Sequence, residues 1–152
     1  DLFFDKDGFL DDTSYPYFKE VVARHTSGWF KVAPEHTEDK VLKLMAKPPF
    51  ALFSVLRREF DNLMRKEKLN YKIVPYFISS HPGCELNDMI ALSKNKDLKG
   101  ISLEQVQEFT PTPMTASSAM FYSGMDTRGE KPIFVEKNMT AKKRQKSLFY
   151  KK

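Results

Sequence analysis

The chain has 152 residues, enough for one domain or a large part of one. Hydrophobic residues make up 41% of it and charged residues 30%, a balance typical of a soluble protein with an apolar core. No apolar run is long enough to cross a bilayer, and nothing resembles a secretory signal, so we expect no membrane partner. The single cysteine, Cys84, excludes an internal disulfide and a closed cysteine-ligated metal site, and it fits the reducing cytoplasm. The first residue, Asp1, favours a longer parent chain or an excised piece.

The formal net charge is +5, and much of the excess is gathered after Glu136. The basic residues of this last stretch are Lys137, Lys142, Lys143, Arg144, Lys146, Lys151 and Lys152. Such a run could attract RNA phosphates. It is also typical of a solvated final helix with a frayed tail, which is the interpretation we favour.

The first half of the chain predicts one strand and three helices. Apolar residues at helical spacing indicate a helix over residues 15–24, and residues 29–33 form a short strand that ends at Pro34. Thr37 is placed to cap the next helix, whose apolar stripe follows, and Pro48-Pro49 stops it. An amphipathic helix comes next, with Phe53, Leu56, Phe60, Leu63 and Met64 on one face.

The second half of the chain again predicts strands that alternate with helices. Residues 71–79 are nearly continuous in apolar and aromatic side chains, which predicts a strand buried on both faces. Glu85 and Asp88 open a helix, and residues 103–109 form a third strand candidate. A short helix is capped by Thr115 and ended by Gly124. Residues 132–135 predict one more short strand, and Thr140 is placed to cap the final basic helix.

This order of strands and helices predicts an α/β fold with parallel strand pairing. Three to four βα units are too few for a complete eight-unit barrel, so we expect a partial TIM-like (β/α) barrel or a small open sheet. The expected division is residues 1–135 for the barrel portion, with a lead-in over 1–28, and 136–152 for the basic helix and tail.

Polar residues follow each predicted strand, where the loops of parallel α/β proteins line active sites. The first loop is Pro34-Glu35-His36-Thr37, the second is Ser79-Ser80-His81-Pro82-Gly83-Cys84 and the third is Thr110-Pro111-Thr112-Pro113. If the strands are adjacent and parallel, a carboxylate, two imidazoles and several hydroxyls face one cavity.

Each of these residues also has a plain structural interpretation. Glu35 could cap its own helix or pair with a nearby lysine, and the two histidines could be ordinary polar residues at strand ends. Ser80 beside His81 suggests a hydrolase, but the sequence offers neither a nucleophile elbow nor an orienting acid. Cys84 at a helix start could have a lowered pKa, although a structural cysteine is the expected role. The prolines and Gly83 could serve only to set turn geometry.

The first loop and the elements around it resemble a motif of radical S-adenosylmethionine (SAM) enzymes. The segment FKVAPEH followed by VLKLM is similar to the strand and helix that carry the family's Glu-Ser motif. The resemblance implies that Glu35 lies near the SAM ribose and amino acid moiety. His36 stands where the family usually has serine.

The second and third loops resemble the next two motifs of the same family, in the same order. FISSHPGC is similar to an apolar strand running into Gly-x-Pro-Gly-Glu-Thr, with Pro82 and Gly83 matching. Ser80 stands where glycine is common, and Cys84 where glutamate is common. Thr110-Pro111 begins a stretch similar to the sixth-strand pattern, in which Met114 replaces a frequent glycine.

Together, the strings KVAPEHTEDKVLKLM, VPYFISSHPGC and LEQVQEFTPTPMT resemble the YgiQ-type radical SAM proteins, over about residues 15–135. The resemblance implies a [4Fe-4S] cluster on a three-cysteine loop, with SAM on its open iron and cleavage to a 5′-deoxyadenosyl radical. This chain lacks those cysteines. The expected cofactor-binding residues are Glu35, His36, Ser79, Ser80, His81, Pro82, Gly83, Thr110 and Pro111; no metal ligand and no catalytic residue is assigned.

The leading hypothesis is therefore a fragment of a radical SAM iron–sulfur enzyme, the C-terminal half of its barrel, inactive alone. It contributes part of the SAM and substrate cavity, and its partners are the N-terminal half of the parent and a substrate that the sequence does not identify. We expect the cut barrel edge to be covered by self-association, by refolding of the aromatic N-terminal segment or by crystal contacts. The alternative is an RNA-binding module that uses the basic C-terminal segment; a Ser80/His81 hydrolase ranks third.

Overall fold

The computed structural model describes residues 13–103 and 105–149. The elements are α1 (Ser14–Arg24), β1 (Trp29–Glu35), α2 (Asp39–Leu44), α3 (Ala51–Glu67), β2 (Lys72–Ser79), α4 (Leu86–Ser93), a 3-10 turn (Lys96–Leu98), β3 (Val106–Glu108), α5 (Ala116–Ser123) and α6 (Met139–Ser147). The aromatic start of the predicted lead-in, Lys151 and Lys152 lie outside the described residues. Within them, no helix is both long and apolar enough to span a membrane.

The three strands form a parallel sheet in the order β1-β2-β3, interleaved with helices, which confirms the predicted partial βα fold. β2 pairs with β3 in register from Phe77 opposite Val106 to Ser79 opposite Glu108. Lys72 at the start of β2 is exposed, and from Ile73 to Ser79 the side chains alternate between buried and half-buried, so the prediction of a strand buried on both faces is wrong. Because successive residues point to opposite faces, one face of β2 is covered more completely than the other.

The chain divides into two compact units, whose boundaries fall inside β1 and β2. The described part of the first unit, residues 13–32 and 51–74, packs α1 and α3 around aromatic side chains. The ring of Phe30 stacks on that of Phe60 with centroids 5.7 Å apart and meets the edge of Phe18 at 6.1 Å. Lys19 Nζ lies 2.8 Å from Glu67 Oε1, where it joins the two helices at the surface.

The described part of the second unit, residues 33–50, 75–103 and 105–149, contains the carboxyl-terminal ends of β1 and β2 and all of β3. Its apolar core includes Val41, Leu42, Phe77, Met89, Leu92 and Met120, each at most 1% exposed. The predicted helix ends at Glu85 and Gly124 are confirmed: Glu85 and Asp88 form a capping box on α4, and Gly124 ends α5 in the left-handed conformation. Thr115 caps α5 by accepting a hydrogen bond from the Ser118 N–H.

Four local predictions are wrong. Glu38 rather than Thr37 occupies the N-cap of α2, and Asn138 rather than Thr140 caps α6. The expected strand over residues 132–135 is reduced to an isolated antiparallel bridge between Met125 and Pro132. β1 continues through Pro34 to Glu35, which is possible because β1 is the outer strand of this sheet and Pro34 needs no partner for an N–H.

Candidate functional site

The three predicted loops leave the carboxyl ends of β1, β2 and β3, which are neighbours in the sheet. Two of the loops hold a non-glycine residue with a left-handed backbone, Glu35 with φ 66° and Ser80 with φ 58°, and Met114 directly after the third loop has φ 65°. Such residues are uncommon and cost about 1–3 kcal/mol each, and they tend to cluster at functional sites. In the described part of the second unit, Ala46 is a further non-glycine residue of this kind, and the other three lie in or directly beside the loops at the carboxyl edge of the sheet.

Glu35 ends β1 with one carboxylate oxygen bound and one free. Its Oε1 lies 3.3 Å from Lys47 Nζ, which confirms the predicted pairing with a lysine. Its Oε2 is buried and has no hydrogen-bond partner among the described residues. Burial raises the pKa of this carboxyl, opposed by the charge of Lys47. A buried acceptor without a donor is energetically unfavourable, so Oε2 is suited to a donor from outside the chain.

His36 and Cys84 form a buried neutral pair between the first and second loops. His36 Nδ1 accepts a hydrogen bond from the Glu38 N–H at 3.0 Å, so the ring proton of the neutral form lies on Nε2. Nε2 lies 3.4 Å from Cys84 Sγ. Burial lowers the pKa of His36 to about 4 and raises that of Cys84 to about 12. Both groups are thus neutral near pH 7, and the suggestion of a lowered Cys84 pKa is wrong.

Ser79 and Ser80 are fully buried at the end of β2. Ser79 Oγ lies 3.4 Å from the Gln107 carbonyl oxygen on β3. The Ser80 N–H and hydroxyl both donate to Gln145 Oε1 of α6, at 3.0 and 3.1 Å. Ser80 therefore contacts Gln145 and not His81, which removes the geometric basis for a Ser80/His81 hydrolase.

The His81 side chain bonds at both ring nitrogens. Its Nδ1 lies 2.8 Å from the Pro82 carbonyl oxygen and therefore carries the proton. Its Nε2 lies 2.8 Å from Ser117 Oγ, at the start of α5, and can accept from that hydroxyl. Burial lowers the pKa of His81, so the ring is neutral near pH 7. A backbone carbonyl stands where a hydrolase triad has a carboxylate, which leaves the imidazole without an orienting acid.

Pro82 and Gly83 shape the second loop. Pro82 is buried, and the Gly83 N–H donates to the Phe134 carbonyl oxygen at 2.7 Å. Gly83 has φ 84°, and a Cβ at this position would collide with the end of the Leu44 side chain on α2. The amide and the α-carbon of Gly83 are therefore engaged within the protein, and its observed role is close packing.

The third loop is less enclosed. Thr110 is exposed and Pro111 half-buried, and they follow Phe109, whose ring lies 5.1 Å from that of His81. The first turn of α5 holds the middle of the loop, because Thr115 Oγ1 and Ser118 Oγ both donate to the Thr112 carbonyl oxygen. Neither Thr110 nor Pro111 takes part in the hydrogen bonds described above for His36, Ser80 and His81.

Within residues 13–103 and 105–149, no group of three or more histidines, cysteines and carboxylates could hold a metal ion. The lone thiol of Cys84 is also protonated and buried, whereas cluster and zinc sites need several convergent thiolates or imidazoles.

Sequence reasoning missed the contribution of α6. Lys142 and Gln145 are 6% and 1% exposed, so the expectation of a fully solvated basic helix is wrong for this face. The amino-acid sequence offers little indication that α6 is partly buried, because the helix has no apolar stripe. The one indication is that Lys142 and Gln145 are three residues apart, which places them on the same side of a helix. The chain thus buries a cation and an amide at the ends of β3 and β2.

Comparison with known proteins finds long relatives. A UPF0313 protein of Bacteroides thetaiotaomicron is 42% identical over 145 residues, which are 95% of this chain and 23% of that protein. A UPF0313 protein of Porphyromonas gingivalis is 39% identical over 145 residues, 95% of this chain and 23% of the relative. A UPF0313 protein of Clostridium botulinum strain 657 is 39% identical over 142 residues, which are 93% of this chain and 22% of that protein. The chain is similar to one segment of the UPF0313 proteins.

The segment spans less than a quarter of the length of these UPF0313 relatives. No family model matches the chain, and no solved structure matches it significantly. The names of the UPF0313 relatives carry no mention of RNA, and Lys142 is engaged inside the protein, so the RNA-binding alternative finds no support.

Proposed function

We propose that this chain forms one wall of the SAM and substrate cavity of a longer radical SAM iron–sulfur enzyme, in which it is one segment, as the matching segment is in the UPF0313 relatives. The cluster and the start of the radical reaction then belong to another part of the full-length protein. Support comes from the three sequence motifs, which fall in order on the carboxyl ends of three adjacent parallel strands. The length of the relatives leaves room for a cluster-binding region.

The observation that carries the proposal is the buried Oε2 of Glu35, which has no partner among the described residues. SAM presents ribose hydroxyls and an ammonium group, and either could donate to a carboxylate oxygen. Lys47 holds the other oxygen of Glu35 and so fixes the orientation of the carboxylate. The residue present therefore fits the donors that the cofactor carries.

The [4Fe-4S] cluster does not fit this chain. The sequence has one cysteine, and its thiol is buried with a pKa raised to about 12. When bound in the full-length protein, cluster and SAM supply the radical chemistry. The residues of this chain accept hydrogen bonds from the cofactor at Glu35 and hold neighbouring loops in place.

The test is SAM binding by the anaerobically reconstituted full-length protein, measured by calorimetry. Glu35→Gln should weaken binding about tenfold to a hundredfold, because a hydrogen bond to a charged group contributes about 1.5–3 kcal/mol. Glu130→Gln makes the same change on an exposed turn and should leave affinity unchanged. No SAM binding by the unsubstituted protein, or equal affinity in Glu35→Gln, would refute the proposal.

A further inference from the structure

One face of α6 reaches the ends of two neighbouring strands. Lys142 and Gln145 are three residues apart, which places them on the same side of the helix. Both are at least nine-tenths buried, whereas Lys143 and Arg144 between them are exposed. α6 packs against both β3 and α4. Burying a cation and an amide is costly unless the groups are bound. Lys142 Nζ and Gln145 Oε1 have partners, whereas Gln145 Nε2 is buried with none among the described residues.

Gln145 binds Ser80, the second residue of the second loop. Its Oε1 accepts from both the Ser80 N–H and the Ser80 hydroxyl. Ser80 follows the last residue of β2 and has a left-handed backbone. Its N–H bonds to Gln145 of α6, so the acceptor comes from a distant part of the chain. Without Gln145, a buried N–H would be left unbound next to strained backbone, and the loop would lose the contact that holds that conformation.

Lys142 acts in the same way on the third loop. Its Nζ donates to the Phe109 carbonyl oxygen at 3.1 Å and lies 3.2 Å from Glu108 Oε1. The same ammonium lies 5.7 Å from the centre of the Phe121 ring. These contacts fix Phe109, whose ring meets His81 of the second loop edge-on.

We propose that Gln145 and Lys142 are positioning residues, through which α6 holds the second and third loops in the conformation that binds the cofactor. Neither touches the cofactor; they act through Ser80 and Phe109. The inference rests on the proposed function, because the loops are those assigned to the SAM side of the cavity. Its loop-fixing part is measurable without any cofactor.

The experiment compares Gln145→Met and Lys142→Met with Lys143→Met in the full-length protein. Each substitution is to an unbranched apolar side chain, and Lys143→Met makes the same charge change as Lys142→Met on the exposed face. Hydrogen exchange is followed in peptides covering residues 79–84 and 106–112, with residues 51–67 of α3 as an internal reference. SAM affinity is measured on the same samples.

Exchange should rise about tenfold or more over residues 79–84 in Gln145→Met and over 106–112 in Lys142→Met, and SAM affinity should fall about tenfold in each. The α3 reference and Lys143→Met should stay unchanged. Lys142→Arg keeps a donor and should restore both readouts. Where Gln145→Met fails to fold, Gln145→Asn withdraws the same acceptor by one methylene group.

Unchanged loop exchange in both variants would overturn the inference. So would raised exchange with full SAM affinity, which would mean that α6 has only a structural role. If the unsubstituted protein binds no SAM, the proposed function fails; the exchange results then decide by themselves whether α6 fixes the loops.

Discussion

Met114 has a backbone conformation that is unfavourable for any residue with a Cβ. The residue has φ 65° and is fully exposed, so no contact of its side chain offsets the left-handed conformation. Glycine adopts this conformation without penalty. In the sequence motifs that this chain resembles, glycine is frequent at this position and at that of Ser80; both residues have a glycine-like backbone here.

Met114→Gly should therefore raise the free energy of unfolding by about 1 kcal/mol, because it removes the clash of Cβ with the backbone. Met114→Ala retains Cβ and should change stability little. Urea denaturation of the three proteins measures the difference. Equal stabilisation by alanine and glycine would show that the Met114 side chain, and not its backbone, limits stability.

His36 makes stability depend on pH. In the unfolded chain its pKa is about 6.5, whereas burial lowers it to about 4 in the folded protein. Above pH 6.5 both states are neutral at this residue and it has no effect. As the pH falls from 6.5 towards 4, only the unfolded state takes up the proton, so the folded state loses about 3 kcal/mol of relative stability.

His36→Asn tests this dependence. The asparagine carbonyl oxygen can accept from the Glu38 N–H in place of Nδ1, and the side chain does not titrate. The free energy of unfolding, measured from pH 7 to pH 4, should fall less steeply in the variant. Parallel curves for the two proteins would contradict the lowered pKa of His36.

At the scale of the elements, α4 begins with a capping box and an ion pair. Asp88 accepts from the Glu85 N–H at 2.8 Å, and its other oxygen lies 2.9 Å from Lys40 Nζ of α2. Asp88 is buried, while the Lys40 side chain is 57% exposed, so solvent screens the ion pair. The cap, rather than the ion pair, should carry most of the stabilisation.

Asp88→Ala should lower the free energy of unfolding by about 1–2 kcal/mol through loss of the cap. Lys40→Met should lower it by less than about 1 kcal/mol. Asp88→Asn retains an acceptor oxygen and should resemble Lys40→Met. Thermal or urea unfolding distinguishes these outcomes; a larger loss in Lys40→Met than in Asp88→Ala would assign the stabilisation to the ion pair.

The order of helices and strands could be predicted from the amino-acid sequence because each element carries its own local signal. The Glu85/Asp88 pair and the Thr115 and Gly124 ends of α5 act within a few residues, and all were found. Asn138 and Thr140 are both good caps, and only tertiary packing decides between them: the Asn138 cap places Lys142 against Phe109. The buried role of Gln145 depends on Ser80, 65 residues earlier, and no local pattern reports such a contact.

At the scale of the molecule, the cysteine count separates what this chain can do from what the full-length protein is proposed to do. A single buried thiol offers too few ligands for a [4Fe-4S] cluster. The 152-residue chain, treated anaerobically with iron and sulfide and then desalted, should therefore show no stable visible absorbance. The full-length protein, treated identically, serves as the positive control.

Stoichiometric iron and sulfide on the 152-residue chain would contradict this expectation. Cys84→Ser is the informative variant in that case: persistence of the absorbance after this substitution would show that the iron is adventitious. Loss of the absorbance would instead assign an unexpected ligand role to Cys84.

The contact between Ser80 and Gln145 also bears on how the protein is made. A ribosome that adds about 5–20 residues per second needs roughly 3–13 s to proceed from one to the other, since they are 65 residues apart. Throughout that interval the nascent chain has completed β2 but lacks the acceptor for the Ser80 N–H. We therefore expect the second loop to remain open to proteases on ribosomes stalled before α6 emerges; protection at that stage would show that it closes without α6.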